Sequence, residues 1–425
     1  MDLMSERQWK RWDAIGRVNG EKLTMSEAAR ICGISLRQLR RIRRGVAEAG
    51  KEALFHGNRG RPPANRTGQA VREQVIALRR KKYDRFNDAH FADKLLSAEK
   101  LLSEEGVAVK LAVRTVRRIL REAGIAPVRR RRARRHRRRR ERKAQAGLML
   151  LWDGSPHAWL EQRGPQLCLV GAIDDASSDL LPGAHFVEQE CAAAYLRVLK
   201  AIVTEYGIPW SIYMDQHGSL KRNDDHWTLA EELRGRQDPT QVGMALEALE
   251  IEPIYALSPQ AKGRVERMWG TLQGRLVSEL RLVGACTAEE ANVVLQRYRP
   301  QHNRRFAVPP RDTAPAWRPV RPGTDLDRLC SFRYEATVLR DNTVRLGGSM
   351  VIDIPPGPRR CSYADKRVEV RQLLDGTWRV YFRNHLIATA PATTHGELRT
   401  LRRRKRSRGA PLSYPTHAAY VEASR

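Results

Sequence analysis

The spacing of hydrophobic and polar residues changes along the chain and divides it into regions of different predicted structure. Residues 1–126 carry apolar positions at helical spacing, whereas residues 147–310 mix strand and helix periods, as an α/β domain does. From about residue 325, short alternating runs broken by Asp-Asn and Asp-Gly turns predict an all-β domain. The predicted segments are a helical domain at 1–57, a linker at 58–68, a second helical module at 69–126, a basic linker at 127–146, the α/β domain at 147–310, the β domain at 325–392 and a basic tail at 393–425.

The α/β region has a predicted order of elements that is typical of one fold. Its predicted strands are Leu148–Asp153, Gln166–Asp175, Leu180–Glu188, Trp210–Asp215 and Glu252–Ala256, and its predicted helices are Cys191–Tyr206, Gln241–Leu249 and Ala261–Val283. Three antiparallel strands followed by helix, strand, helix, strand and helix is the order of an RNase H-like fold. The polar stretch His217–Thr240 interrupts this order and is interpreted as a surface insertion.

The N-terminal domain has the pattern of a helix-turn-helix. Thr24 or Ser26 can cap a first helix, Gly33 supplies the turn, and Ser35 caps a second helix. Three polar residues of that second helix point away from its apolar face, where a recognition helix meets DNA: Arg37, Gln38 and Arg41. An ordinary helical hairpin with a solvated basic face is the alternative.

Two further segments before the α/β domain are candidates for DNA binding. In the linker, Arg59 and Arg61 belong to an Arg-Gly-Arg-Pro sequence that resembles an AT-hook, whose guanidinium groups enter a narrow minor groove. A plain linker explains this short motif equally well. The second helical module ends in an amphipathic helix and is interpreted as a second helix-turn-helix, with basic positions at Arg114, Arg117 and Arg118.

The charge of the chain indicates a polyanionic partner. Its formal net charge is +30, and twelve of the fifteen residues from Arg129 to Lys143 are Lys or Arg. In this run we expect contacts to the phosphates of a duplex without sequence preference, for example from Arg130, Arg131, Arg138 and Arg139. No apolar run is long enough to span a membrane, and the six scattered cysteines form no Cys-x-x-Cys pair. We expect a cytoplasmic protein without a membrane partner.

Three carboxylates occupy chemically suggestive positions. Asp153 and Asp215 each end a predicted apolar strand, and Glu266 lies early in the helix that follows Ser258-Pro259. Taken one at a time, each could cap a turn or pair with a neighbouring cation. Asp174 and Asp175 are rival candidates at the end of a strand.

In this order, the motifs resemble those of DDE transposases and retroviral-type integrases, and most closely the ISNCY group of bacterial insertion-sequence transposases. The resemblance covers nearly the whole chain and is carried by the segments Trp152–His157, Ile173–Ser177, Tyr213–Asp215, Ser258–Arg267 and Asn303–Pro310. It implies that Asp153, Asp215 and Glu266 form the catalytic triad, and that Asp174 and Asp175 are structural. The 51 positions between Asp215 and Glu266 exceed the short spacing of many integrases, and the insertion accounts for this.

The resemblance also implies a cofactor and a reaction. Two Mg²⁺ ions per active site, which Mn²⁺ could replace, are expected roughly 4 Å apart, with Asp153 bridging them and the other two acids holding one each. Water would release a 3′-hydroxyl at the end of an insertion sequence, and that hydroxyl would attack target DNA. Candidates for contacting the DNA end surround the glutamate: Gln260, Lys262, Arg264 and Arg267. Joining two ends requires at least a dimer.

Two other functions remain open from the sequence. A DNA-binding regulator or domesticated transposase without catalysis would keep the basic modules, although drift would readily remove one of the three acids. A structure-selective nuclease of the same fold would have no need for an N-terminal sequence reader. For the β domain the resemblance suggests a small SH3-like barrel that binds DNA or another subunit, followed by a basic tail.

Overall fold

The structure is a computed structural model that describes residues 4–56, 66–97, 111–128, 140–222, 224, 227–256, 263–347, 350–393 and 398. The chain divides into two compact units, Met1–Gln74 and Val75–Arg425. In the described residues, no helix is long and apolar enough to cross a bilayer.

The first unit is a three-helix arrangement around a small apolar core. Its helices are α1 (Glu6–Asn19), α2 (Met25–Cys32) and α3 (Leu36–Ala49). Thr24 and Glu27 form a reciprocal capping box at the start of α2, and Gly33 ends that helix at φ 63°, a conformation that favours glycine. Leu39 of α3 is fully buried in the core. The predicted helix, turn and helix are therefore present.

The helical module that follows contains three described helices, α4 (Gln69–Lys81), α5 (Asp88–Ser97) and α6 (Val113–Glu122). In α6, Val116, Ile119 and Leu120 are buried against the rest of the module, and the basic positions face outward. This matches the predicted amphipathic helix.

A five-stranded mixed sheet forms the centre of the second unit. Its strands are β1 (Leu150–His157), β2 (Leu167–Asp174), β3 (His185–Val187), β4 (Ser211–Met214) and β5 (Glu252–Tyr255), in the spatial order β3-β2-β1-β4-β5. The first three strands are antiparallel, whereas β4 runs parallel to both β1 and β5. Along the chain, the strands follow the predicted order.

Helices cover both faces of this sheet and create two apolar cores. They are α7 (Ala192–Glu205), α8 (Leu229–Arg234), α9 (Gln241–Ala248), α10 (Gly263–Gln273), α11 (Leu276–Val283) and α12 (Ala288–Phe306). Helices α7 and α9 pack on one face, and α10, α11 and α12 pack on the other. The short helix α8 lies within the predicted insertion.

Three elements differ clearly from their predicted bounds. Strand β3 has only three residues, His185–Val187, whereas the prediction was Leu180–Glu188. Strand β1 continues past Asp153 to His157 because β2 pairs with it along its whole length. The pairing of β1 with β4 stops at Leu151, which leaves the later part of β1 with the edge character that tolerates Pro156. The predicted single helix Ala261–Val283 is two helices, separated at Gly274-Arg275.

The C-terminal region is built from antiparallel strands. After the short helix α13 (Leu326–Leu329) come β6 (Phe332–Thr337), β7 (Thr343–Leu346), β8 (Met350–Asp353), β9 (Arg367–Gln372), β10 (Trp378–Phe382) and β11 (His385–Ala390). They form a four-stranded sheet, β11-β10-β9-β6, and the hairpin β7-β8, which share one apolar core. The all-β prediction is confirmed, but an SH3-like barrel is not, since the described strands do not close into a barrel.

Candidate active site

Asp153 and Asp215 lie at matching positions on neighbouring strands. The parallel strands β1 and β4 pair Leu150 with Ile212 and Leu151 with Tyr213. Asp153 and Asp215 each follow the second of these pairs by two residues along the chain. Because side chains alternate between the faces of a strand, Asp153 shares the face of Leu151, which packs against α10. The fold therefore brings together two acids that are 62 residues apart in the sequence.

Helix α10 crosses this face of the sheet and carries Glu266. The indole Nε1 of Trp269 donates a hydrogen bond to Asp153 Oδ2 at 2.9 Å, and Gln273 Nε2 donates one to Ser155 Oγ at 3.2 Å. Glu266 precedes these two residues by three and seven positions, which places all three on one face of the helix. Glu266 is exposed, one turn away from the residue that contacts Asp153.

A fourth acid, Glu190, lies beside the two aspartates. The hydroxyl of buried Tyr195 donates a hydrogen bond to Glu190 Oε1, and Nδ1 of His217 lies 3.5 Å from the same oxygen. The backbone amide of His217 in turn donates to Asp215 Oδ1 at 3.0 Å. A Cβ atom at Gly154 would collide with the Glu190 carboxylate, so residue 154 must be glycine for this carboxylate to stay in place.

The grouped carboxylates alter the acidity of the buried groups around them. Burial raises the pKa of the Tyr195 hydroxyl well above its usual value, and the negative charges of Glu190, Asp215 and Asp153 raise it further. The pKa of the Cys168 thiol is raised to about 12, first by burial and then by the charge of Glu190. A site with this much negative charge favours a cation.

Asp174 and Asp175 have structural roles, as the resemblance implies. Asp174 accepts hydrogen bonds from the backbone amides of Gly147, Ala176 and Ser177. Asp175 is fully buried and forms ion pairs with Arg140 and Arg264. These contacts tie the end of the basic linker and the start of α10 to the end of β2.

The chemistry of the donor set fits a hard divalent cation, because carboxylate oxygens are the ligands that Mg²⁺ prefers. Asp153 and Asp215 lie on neighbouring strands, on the side of the sheet that α10 covers. Glu266 lies on α10, so this arrangement agrees with a shared cation site. Across the described ranges, however, no group of three His, Cys, Asp or Glu side chains lies close enough together to hold one ion. The described residues thus gather the elements that carry the predicted triad without forming a complete three-ligand cluster.

The predicted DNA contacts fall into three groups. Exposed or half-buried on helix surfaces are Arg37, Gln38, Arg41, Arg114, Arg117, Arg118 and Arg267. Arg264 has a side chain only 12% exposed and pairs with Asp175, so that carboxylate competes with any phosphate for it. Outside the described residues lie Arg59, Arg61, Arg130, Arg131, Arg138, Arg139, Gln260 and Lys262.

Sequence reasoning missed three residues of the site. Trp269 and Gln273 could have been found, because their spacing from Glu266 places them on its face of the helix. Glu190 lies between β3 and α7 in a segment without a recognisable motif, and only the fold brings it to Gly154.

Comparisons with known proteins give a consistent picture. The chain is 34% identical over 385 residues to the "Putative transposase y4bF" of Sinorhizobium fredii, covering 87% of this chain and 79% of that protein. It is 32% identical over 337 residues to the "Transposase for insertion sequence IS1202" of Streptococcus pneumoniae, covering 70% of this chain and 68% of that protein. No family model matches the chain.

Among solved structures, the HTLV-2 integrase catalytic core domain in complex with magnesium is 15% identical, with a TM-score of 0.24 over 36% of this chain and 85% of the integrase chain. A chain of the simian T-cell lymphotropic virus intasome in complex with a PP2A regulatory subunit is 14% identical, with a TM-score of 0.28 over 71% of this chain and 99% of that chain. Scores this low add no weight to the two sequence relatives, whose identity and coverage are enough by themselves. The chain belongs to the insertion-sequence transposases.

Proposed function

We propose that this protein is a DNA transposase that cuts the ends of an insertion sequence and joins them to target DNA, with Asp153, Asp215 and Glu266 as its catalytic residues. The observation that carries the proposal is the pairing register of β1 and β4, which brings Asp153 beside Asp215 on the side of the sheet that α10 covers.

In the proposed reaction the three acids act together as metal ligands, and neighbouring groups orient two of them. Asp153, Asp215 and Glu266 would hold two Mg²⁺ ions, which when bound supply charge stabilisation to the attacking and leaving oxygens. The Trp269 indole orients the Asp153 carboxylate through its hydrogen bond, and the His217 amide does the same for Asp215. With these supporting contacts, little rearrangement of the two aspartates is needed at the moment of reaction.

DNA binding in this proposal is divided among basic surfaces. Arg37 and Arg41 on α3 and Arg114 and Arg117 on α6 are exposed and suit contacts to phosphates or base edges. The arginine-rich linker adds affinity for any duplex. Two element ends must be held together for joining, so we propose that the protein acts on DNA as at least a dimer.

The test is metal-dependent cleavage of a duplex copied from the DNA that flanks the coding region. We expect Mg²⁺ or Mn²⁺ to support nicking at the element end, and Asp153→Asn, Asp215→Asn and Glu266→Gln each to lower the rate by about 1,000-fold or more while binding persists. Glu247→Gln, which neutralises an exposed acid of α9, is the matched control and should cleave normally.

Two outcomes would refute the proposal. Specific binding without cleavage under any metal condition would identify a DNA-binding regulator or a domesticated relative. Cleavage that survives neutralisation of all three acids would place the active site elsewhere in the chain.

A further inference from the structure

A groove of about 440 Å³ runs along α10 where the helical module of α4–α6 meets the sheet domain. Residues from α10, α11, the end of β1 and the turn before α5 line it. Val128, the last described residue before the arginine-rich linker, lies in its wall. The groove therefore lies where the helical module, the sheet domain and the start of the arginine-rich linker meet.

The floor of this groove continues the face of α10 that carries Glu266. Gly270 and Gly274 follow Glu266 at intervals of four residues, which keeps all three on one side of the helix. A Cβ added at Gly270 would meet no atom within 4 Å. Glycine inside a helix costs stability relative to alanine, so an open glycine here is not explained by packing.

The far wall is fixed in place by polar contacts between the module and the sheet domain. Asn87 Nδ2 donates to the Gly274 carbonyl at 2.8 Å, and Arg281 donates to the Asp84 carbonyl at 2.7 Å. Arg275 forms an ion pair with Asp93 at 2.8 Å, with its own side chain only 9% exposed. The groove is thus a fixed surface, held open between two domains.

The lining has more arginines than acids, and each arginine has a carboxylate within ion-pair distance. It contains three arginines, Arg85, Arg275 and Arg281, against one acid, Glu161. Arg281 is held by Glu161 through two hydrogen bonds, whereas the Arg85 side chain is 74% exposed and lies 3.8 Å from Asp84. The exposed guanidinium of Arg85 suits a contact to the phosphates of DNA.

We propose that this groove holds the DNA backbone between the sequence bound by α6 and the phosphodiester that is cut beside Glu266. This inference rests on the proposed function and adds to it a route for the DNA. Since the module is fixed to the sheet domain, the groove sets the distance between the site that is read and the site that is cut.

A size series at Gly270 tests the route, using the full chain and a duplex copied from the DNA that flanks the coding region. Gly270→Ala should cleave as the wild type does, Gly270→Leu more slowly, and Gly270→Trp about 100-fold more slowly, because a shift of about 1 Å at the reacting group can cost that much. The Cβ direction is open, so Gly270→Ala should unfold at or slightly above the wild-type temperature. Unfolding temperatures of the Leu and Trp variants check that they are folded. Normal cleavage by a folded Gly270→Trp protein would overturn the inference.

A second measurement does not depend on catalysis. The same duplex, with a photoreactive azidophenacyl group on backbone phosphorothioates near the expected cut, is crosslinked to the Asp153→Asn protein, and the crosslinked peptides are identified by mass spectrometry. We expect crosslinks within 263–283 and 82–87, and a lower yield in Arg85→Glu than in the surface control Arg236→Glu. Crosslinks confined to other regions, or equal yields from the two charge reversals, would contradict the groove.

The two measurements separate this inference from the proposed function. Groove crosslinks in a protein that cleaves no DNA would refute the catalytic proposal and keep the DNA path. Metal-dependent cleavage that is indifferent to Gly270→Trp would keep the catalytic proposal and refute the path.

Discussion

The two helical regions that precede the sheet domain look similar in sequence but are stabilised in different ways. The first, α1–α3, closes around its own apolar core, with Ala28 and Leu39 fully buried. The second also buries apolar side chains, such as Phe91 and Ile119, but in addition it uses one face of α5 to contact α11. There Glu279 accepts hydrogen bonds from His90 at 2.7 Å and Lys94 at 2.8 Å, with the side chains of His90 and Glu279 only 3% and 11% exposed.

This difference has a functional meaning. An apolar core of its own lets a small domain fold independently of its neighbours. A buried polar network is satisfied in only one arrangement and therefore fixes two elements relative to each other. The first region is suited to reading DNA as a separate domain, and the second to reading it at a fixed distance from the active site.

The largest effect should come from removing the acid at the centre of the polar network. Glu279→Ala leaves His90 and Lys94 without their partner in a buried site, and we expect it to lower the free energy of unfolding of the second unit by about 3–5 kcal/mol. Urea unfolding followed by tryptophan fluorescence measures this. The exposed pair of Asp13 and Arg17 is the control, since Asp13→Ala should cost less than about 0.5 kcal/mol. A cost below about 1 kcal/mol for Glu279→Ala would show that the network does not hold the module.

A smaller effect, confined to the other region, is expected from its core. Leu39→Ala should lower the free energy of unfolding of the first unit by about 3 kcal/mol, because it removes a fully buried side chain and leaves a cavity. Ile31→Ala, at a 43% exposed position of the same unit, is the matched control. Hydrogen exchange measured by mass spectrometry should be faster than in the wild type for residues 6–54 and unchanged for residues 150–174. Spread of the effect into the sheet domain would contradict the independence of the first unit.

The smallest effect should be a dependence of stability on pH that belongs to the second region. Burial lowers the pKa of His90 below its usual 6.5, so protonation of the unfolded chain destabilises the fold as pH falls below 6.5. Although burial opposes it, the hydrogen bonds from His90 and Lys94 lower the pKa of Glu279. The stability that this carboxylate contributes is therefore present above pH 4.5 and lost as pH falls through its folded pKa.

Unfolding temperatures measured from pH 7 downward test the direction of this pH dependence. The second unit should lose stability on acidification, and Glu279→Gln should flatten the part of the curve below pH 4.5. A second unit that gains stability toward acid, or a Glu279→Gln curve that follows the wild type there, would contradict the assignment.

The sequence predicted most elements of the sheet domain and of the C-terminal β domain because their signals are local. Apolar runs ending in Asp153 and Asp215, glycine ends of helices and the turns of the β region are visible in short windows, and β7 has the predicted bounds, Thr343–Leu346. Strand β1 was predicted too short because Gly154 and Pro156 normally stop strands. Pairing with β2, which a single segment cannot reveal, overrides that preference.

What the sequence could not predict depends on contacts between distant segments. The break in the helix at Gly274 follows from Asn87 and Arg275, whose partners lie about 180 residues away along the chain. Glu190 reaches Gly154 only after β3 and α7 have packed on the sheet. Closure of the β domain likewise depends on pairing between strands that are distant in the sequence. The barrel that was expected is not formed by the described strands.

The central claim, that Asp153, Asp215 and Glu266 hold divalent ions together, can be tested by replacing Mg²⁺ with Fe²⁺. With ascorbate and peroxide, bound Fe²⁺ generates hydroxyl radicals that cut the polypeptide next to its ligands. Our account predicts cuts near residues 153, 215 and 266, suppressed by excess Mg²⁺ and by Asp153→Asn but not by Glu247→Gln. Cuts that leave one of these three segments intact, or that persist in Asp153→Asn, would contradict it.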